Sequence, residues 1–215
     1  MNPDVRTLIY WLHAGAGTLV LIIGILQIVL KKGGRLHRQA GKIYLASWFI
    51  LVPTGAYLGS LIITFFGIFG LYMAFTGSRM ARFRNFPDRV IDKIFYVSGG
   101  LVSFTLLIWG TLLLIRGERV FSIVSLVFGT LFFSLVFKDL KAAFFKKDDF
   151  NKEKMNWFYT HLGRMYISFI AATTAFLVIQ NLFPHPLLNW LSPTVAGFIL
   201  ISLSLKHYRR KFGDA

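Results

Sequence analysis

The sequence predicts an all-α fold, a polytopic transmembrane bundle of seven helices forming one integral membrane domain over residues 1–215. Three observations lead there. The chain is 55% hydrophobic with a mean hydropathy of +0.61. Only 15% of its residues are charged, where soluble domains average ~25%. The apolar residues also fall in blocks of about 20, the length that crosses a hydrocarbon core of ~30 Å at 1.5 Å per residue.

The spans are expected near residues 7–30, 40–58, 61–79, 94–115, 120–138, 156–180 and 187–205. The segment MNPDVRT carries one base and one acid, and the apolar run behind it is too long for a signal-peptide core and lacks a small-residue cleavage pattern. It reads as a retained first span. Residues 40–79 are almost uninterrupted, twice one span, and Gly59-Ser60 supplies the turn that divides them. Pro53 in the second span and Pro193 early in the seventh mark kinks or first-turn positions. The chain has no Cys, which removes disulfides, thiolate metal ligands and Cys nucleophiles and leaves the compartment open.

Charge tests this division. All but three of the 24 Lys and Arg residues lie in the links after spans 1, 3 and 5 or in the C-terminal tail. These are Lys31, Lys32, Arg35, Arg38 and Lys42; Arg79, Arg82, Arg84, Arg89 and Lys93; Lys138, Lys141, Lys146, Lys147, Lys152, Lys154 and Arg164; and Lys206, Arg209, Arg210 and Lys211. Only Arg6, Arg116 and Arg119 are left for the other side, so the positive-inside rule places the N-terminus outside and the C-terminus in the cytoplasm. A six-span chain would break this alternation. The net charge of +15 then reads as a topological signal that also attracts anionic lipid head groups, with no nucleic acid as partner.

His13, Gly17, Val20, Gly24, Gln27 and Lys31 recur at intervals of three and four, drawing a seam of small and polar residues down span 1. Gly67, Gly70, Ala74 and Gly77 do the same in span 3. Such stripes let helix backbones approach closely where lipid supplies no hydrophobic drive for association. Gln27 and His13 need polar partners inside the bilayer.

Of the five histidines, His185 and His207 read as solvated surface residues. His13 lies about two turns in from the outer end, while His37 and His161 sit at the cytoplasmic feet of spans 2 and 6. His161, Arg164 and Ser168 share a helix face at i, i+3 and i+7, Arg79 ends span 3, and Arg38 follows His37. Asp139, ending span 5, is the acid expected at a helix end close to the bilayer, and Arg164 is its expected partner. The group reads either as an ion-pair network that fixes helix packing or as a cytoplasm-facing His/Arg/Asp pocket. The stretches HRQAGKIYLAS and HLGRMYIS share His, Gly, a base and Tyr, which admits a parallel repeat of spans 1–3 on spans 5–7 or a coincidence of interface chemistry.

The block H-R-x-x-G-[KR]-x-Y after a first span bearing W-L-H-x-G-x-G resembles an uncharacterised family of bacterial multi-pass membrane proteins, a domain of unknown function. T-G-S-R-M-A closing span 3, K-D-L closing span 5, and H-x-G-R-M-Y-I-S-F-I-A-A-T-T-A-F-L-V in span 6 carry the same resemblance. It implies a bacterial inner-membrane location and a common role for His13, His37 and His161. It implies no substrate or reaction.

Three function classes follow. Haem b, or another redox cofactor, needs axial histidines at matching depth, and His37 with His161 is the pair at one level. A zinc-dependent membrane hydrolase would draw three ligands from His37, His161 and Asp139, although no H-x-x-x-H or H-E-x-x-H spacing occurs. A transporter, or a non-catalytic accessory subunit in a homo-oligomer or larger membrane complex, would use Gln27, His13 and Arg164 as intramembrane polar groups. A retinal protein is excluded by the lack of a Lys in span 7 before Lys206.

Overall fold

The computed structural model describes residues 3–145, 150 and 155–213, and among them it forms seven helices and no strand. They are α1 (Pro3–Val29), α2 (Arg35–Leu58), α3 (Leu61–Phe83), α4 (Val90–Ile115), α5 (Arg119–Phe144), α6 (Asn156–Gln180) and α7 (Pro186–Phe212). Six of them are long and apolar enough to cross a membrane, the build of a multi-pass integral membrane protein. The exception is α2, whose 24 residues reach ~36 Å at 1.5 Å each. Its length suffices, but Lys42, Tyr44, Ser47, Pro53, Thr54 and Tyr57 dilute its apolar character. Of the bases assigned to the link before α6, Lys146, Lys147, Lys152 and Lys154 lie outside the described residues.

The turn at Gly59-Ser60 falls where the sequence places it, between α2 and α3. Several helices outrun their apolar runs: α2 begins at Arg35, α3 continues to Phe83, α4 begins at Val90, α5 runs to Phe144 and α7 to Phe212. Hydropathy reports lipid contact, whereas a helix ends where the backbone turns away. Arg84 and Gly213 make that turn in the left-handed region after α3 and α7. Pro186 occupies the first turn of α7, while Pro193 and Pro53 lie inside their helices.

Helices α3 and α6 form the centre of the bundle. The α1–α2 hairpin flanks them on one side, the α4–α5 hairpin on the other, and α7 lies along α6 and touches α5. This arrangement does not repeat spans 1–3 as spans 5–7, because α1 packs along α2 whereas α5 packs along α4.

Small residues set how closely the helices approach, as interhelical packing in lipid requires. The Trp48 indole lies across Gly70, where a Cβ would come within 2.1 Å of a ring carbon. Phe169 of α6 fits over Gly24 of α1, where a Cβ would meet its ring at 2.2 Å. At the end opposite the basic links, Phe66 of α3 holds the rings of Phe128 on α5 and Trp190 on α7 at 4.3 and 4.8 Å. The faces turned outward keep large apolar side chains, among them Trp11, Leu101, Ile115, Ile179 and Leu203.

Candidate functional site

Polar side chains at the basic end of the bundle fall into two clusters, one on each side of the α3–α6 crossing. Gly77 of α3 is the crossing point. A Cβ there would lie 2.9 Å from the Arg164 Cβ, and its own carbonyl accepts a hydrogen bond from His161 Nδ1 at 2.9 Å. One glycine thus lets α6 approach and anchors a histidine from it.

The first cluster lies between α3, α4, α5 and α6 and contains the charges. Asp139 takes Arg164 Nη2 on one carboxylate oxygen and the Tyr72 hydroxyl on the other at 2.6 Å. Asp139 and Arg164 are both buried. Arg79 reaches Asp92 with Nε and Nη2, each at 2.6 Å, a two-pronged contact that matches guanidinium to carboxylate geometry. Asp92 also accepts the Arg89 backbone N–H at the start of α4. The expectation that Asp139 is the acid close to the bilayer is corrected by Asp92. Because α4 starts at Val90 rather than 94, Asp92 sits in its first turn facing α3, only 1% exposed.

The second cluster lies between α1, α2, α3 and α6 and contains the histidines. The His37 and His161 rings stand 6.4 Å apart, centre to centre, with planes at 83°. His161 Nδ1–H is given to the Gly77 carbonyl, so in the neutral ring Nε2 is the nitrogen open to a ligand. His37 Nδ1 is buried with no hydrogen-bond partner. Further along the same α6 face, Ser168 meets the Tyr44 hydroxyl of α2 at 2.9 Å. Arg38, by contrast, faces the exposed surface.

A side chain from α1 reaches the backbone at His37. Gln27 donates its amide to the His37 carbonyl at 2.8 Å, passing over Gly41, where a Cβ would stand 3.4 Å from that nitrogen. Gly163, its counterpart after His161, faces open space, and Tyr166 points to Ser204 on α7, so the two similar stretches do different work. Lys32 closes the last turn of α1 by donating to the Gln27 and Ile28 carbonyls at 2.5 and 2.9 Å. Its ammonium lies within electrostatic reach of both histidines, and burial lowers its pKa.

His13 belongs to neither cluster. It pairs with the Thr54 hydroxyl at 3.1 Å and its ring lies over Gly55, near the other end of the α1–α2 hairpin. The 14 residues from His13 to Gln27 correspond to ~21 Å along the helix. A single ligand sphere does not gather all three histidines.

The zinc arrangement of His37, His161 and Asp139 does not form. Among the described residues no group of three His, Cys, Asp or Glu side chains could hold a metal ion, and both oxygens of Asp139 are occupied by Arg164 and Tyr72. Sequence reasoning missed Lys32, Tyr44, Tyr72 and Asp92. Tyr44 was within reach, because it follows His37 by seven residues and therefore shares its helix face. Comparison of the chain with protein-family models, curated proteins and solved structures gave no match.

Proposed function

We propose that this chain is a bacterial inner-membrane redox protein in which His37 and His161 hold haem b. The 6.4 Å separation of their ring centres carries the reading. Metal–imidazole bonds of ~2.0–2.1 Å plus ring radii of about 1.1 Å put two imidazoles sharing one metal ~6.3 Å apart. His37 and His161 would be the residues that hold the group. His161 also has the second-shell support that ligating histidines use, one nitrogen fixed on a carbonyl and the other free.

The donor set supports haem over a bare dication. Two imidazoles within electrostatic reach of the Lys32 ammonium, with no carboxylate grouped with them among the described residues, disfavour an isolated divalent ion. An anionic macrocycle supplies that balance itself. When bound, such a group supplies one-electron transfer, while the protein's part is to fix both rings, keep their free nitrogens unprotonated and place a cation beside them.

The location rests on the charge alternation. The bases gather at the end holding α1–α2, α3–α4 and the C-terminus, which the positive-inside rule assigns to the cytoplasm. The proposal also keeps the chain with the uncharacterised bacterial family marked by H-R-x-x-G-[KR]-x-Y, on the motifs alone. The test is an absorbance titration of the purified chain with haem. The expected result is a shifted Soret band saturating near one haem per chain, abolished in His37→Ala and His161→Ala. No spectral shift, or equal binding in both variants, overturns the reading.

A further inference from the structure

We propose that the last three turns of α7 form a binding site for an anionic phospholipid, independent of the histidine pair. Leu203, Lys206, His207, Arg210 and Lys211 line a shallow, open surface groove. Their spacing of i, i+3, i+4, i+7 and i+8 puts them on one face of the helix. The same face continues toward the bundle centre as Ile199, Leu200 and Leu203, all exposed. An apolar track that ends in a crown of three basic side chains and a histidine matches an amphiphile with acyl chains below and a phosphate above.

Several other bases at this end are already engaged, while the exposed Arg35, Lys138 and Lys141 are spread over α2 and α5. Arg79 and Arg164 are paired with Asp92 and Asp139, and Lys93 with Asp88 at 3.1 Å. Lys32 caps α1, while Arg84 and Arg209 lie over Trp157 and Tyr159. Lys206, Arg210 and Lys211 have no acid partner among the described residues, and all three are exposed, Lys211 with its ammonium 6.0 Å from the Tyr208 ring centre. The opposite face of α7 is pinned to α6, with Tyr208 and Phe212 on Phe158 at 5.1 and 5.3 Å and Ser204 on Tyr166. The groove is therefore held facing outward. A soluble anion would use the crown and gain nothing from the track, whereas a phospholipid uses both.

The full chain in detergent is titrated with phosphatidylglycerol or with phosphatidylcholine, and bound lipid is counted by native mass spectrometry. Phosphatidylglycerol is expected to bind at least about tenfold more tightly, with that preference lost in K206Q/R210Q/K211Q and kept in the charge-matched control R35Q/K138Q/K141Q. Leu203→Ser should weaken lipid retention, and millimolar inorganic phosphate should not displace the lipid. Melting temperatures close to the parent's establish that the variants are folded. Equal retention of both lipids, an equal loss of preference in the control, or displacement by phosphate overturns the proposal. So does a dimer that disappears in the K206Q/R210Q/K211Q variant, since a second copy would then be the occupant.

Discussion

The two polar clusters beside α3 solve the same problem in opposite ways. Between α3, α4, α5 and α6, each carboxylate finds a guanidinium, and Tyr72 takes the remaining Asp139 oxygen. Between α1, α2, α3 and α6, the polar groups are two histidines with Gln27 and Lys32, and His37 Nδ1 is left unpartnered. A paired cluster holds helices together. Arg164 Nη1 is also without a partner, but its guanidinium already faces the Asp139 carboxylate, whereas His37 Nδ1 belongs to a pair with no such counter-charge among the described residues and is a reason to look for a ligand. The difference teaches that the His, Arg and Asp at one end of a bundle need not be one site.

Mutations should separate the two clusters. The largest effect is expected from Asp139→Ala, which leaves Arg164 buried without a counter-charge. It should lower stability by about 3–5 kcal/mol, and the double variant Asp139→Leu with Arg164→Met should recover most of the loss, because replacing both partners removes the uncompensated charge. Thermal melting in detergent checks both. Arg79→Ala comes next at about 2–3 kcal/mol, since the side chain is 12% exposed and water can partly repair the loss at Asp92.

Gly77→Ala tests the element the clusters share. Its new methyl must displace Arg164 Cβ or Met165, an overpacking cost of about 1–3 kcal/mol. It should also shift His161 and weaken haem binding, which the charged-pair variants should do only as far as they unfold the chain. The smallest stability change is expected for His161→Ala, about 1 kcal/mol from the lost bond to the Gly77 carbonyl, together with complete loss of haem binding. His13→Ala should leave haem binding unchanged, as read by the same titration.

Much of the fold was legible because it follows from length and charge. Gly59-Ser60 had to be a turn once residues 40–79 were too long for one span, and the alternating bases agreed. The glycine seams of α1 and α3 were also readable, since Gly24 and Gly70 meet Phe169 and Trp48. What hydropathy could not give was the helical turns beyond the apolar runs. Asp92 lay in such a turn, and placing span 4 at 94 hid the acid that Arg79 binds.

The pairing of Asp139 with Arg164 could be read from charge and from position at one level. The separation of that pair from His37 and His161 could not. Arg164 and His161 are three residues apart and differ by about 60° around the helix axis, enough to send one side chain toward α5 and the other toward α2. Only the packing of neighbours on both sides of α6 decides whether such a difference makes one pocket or two.

The claim that one cluster holds the bundle while the other holds a cofactor is tested most directly by the haem-to-chain ratio of folded protein, purified after expression with ample haem. The ratio should be near one for the parent and for Arg79→Ala, and near zero for His37→Ala and His161→Ala. A parent without haem, or a ratio that falls with Arg79→Ala as far as with the histidine variants while the chain remains folded, would contradict it.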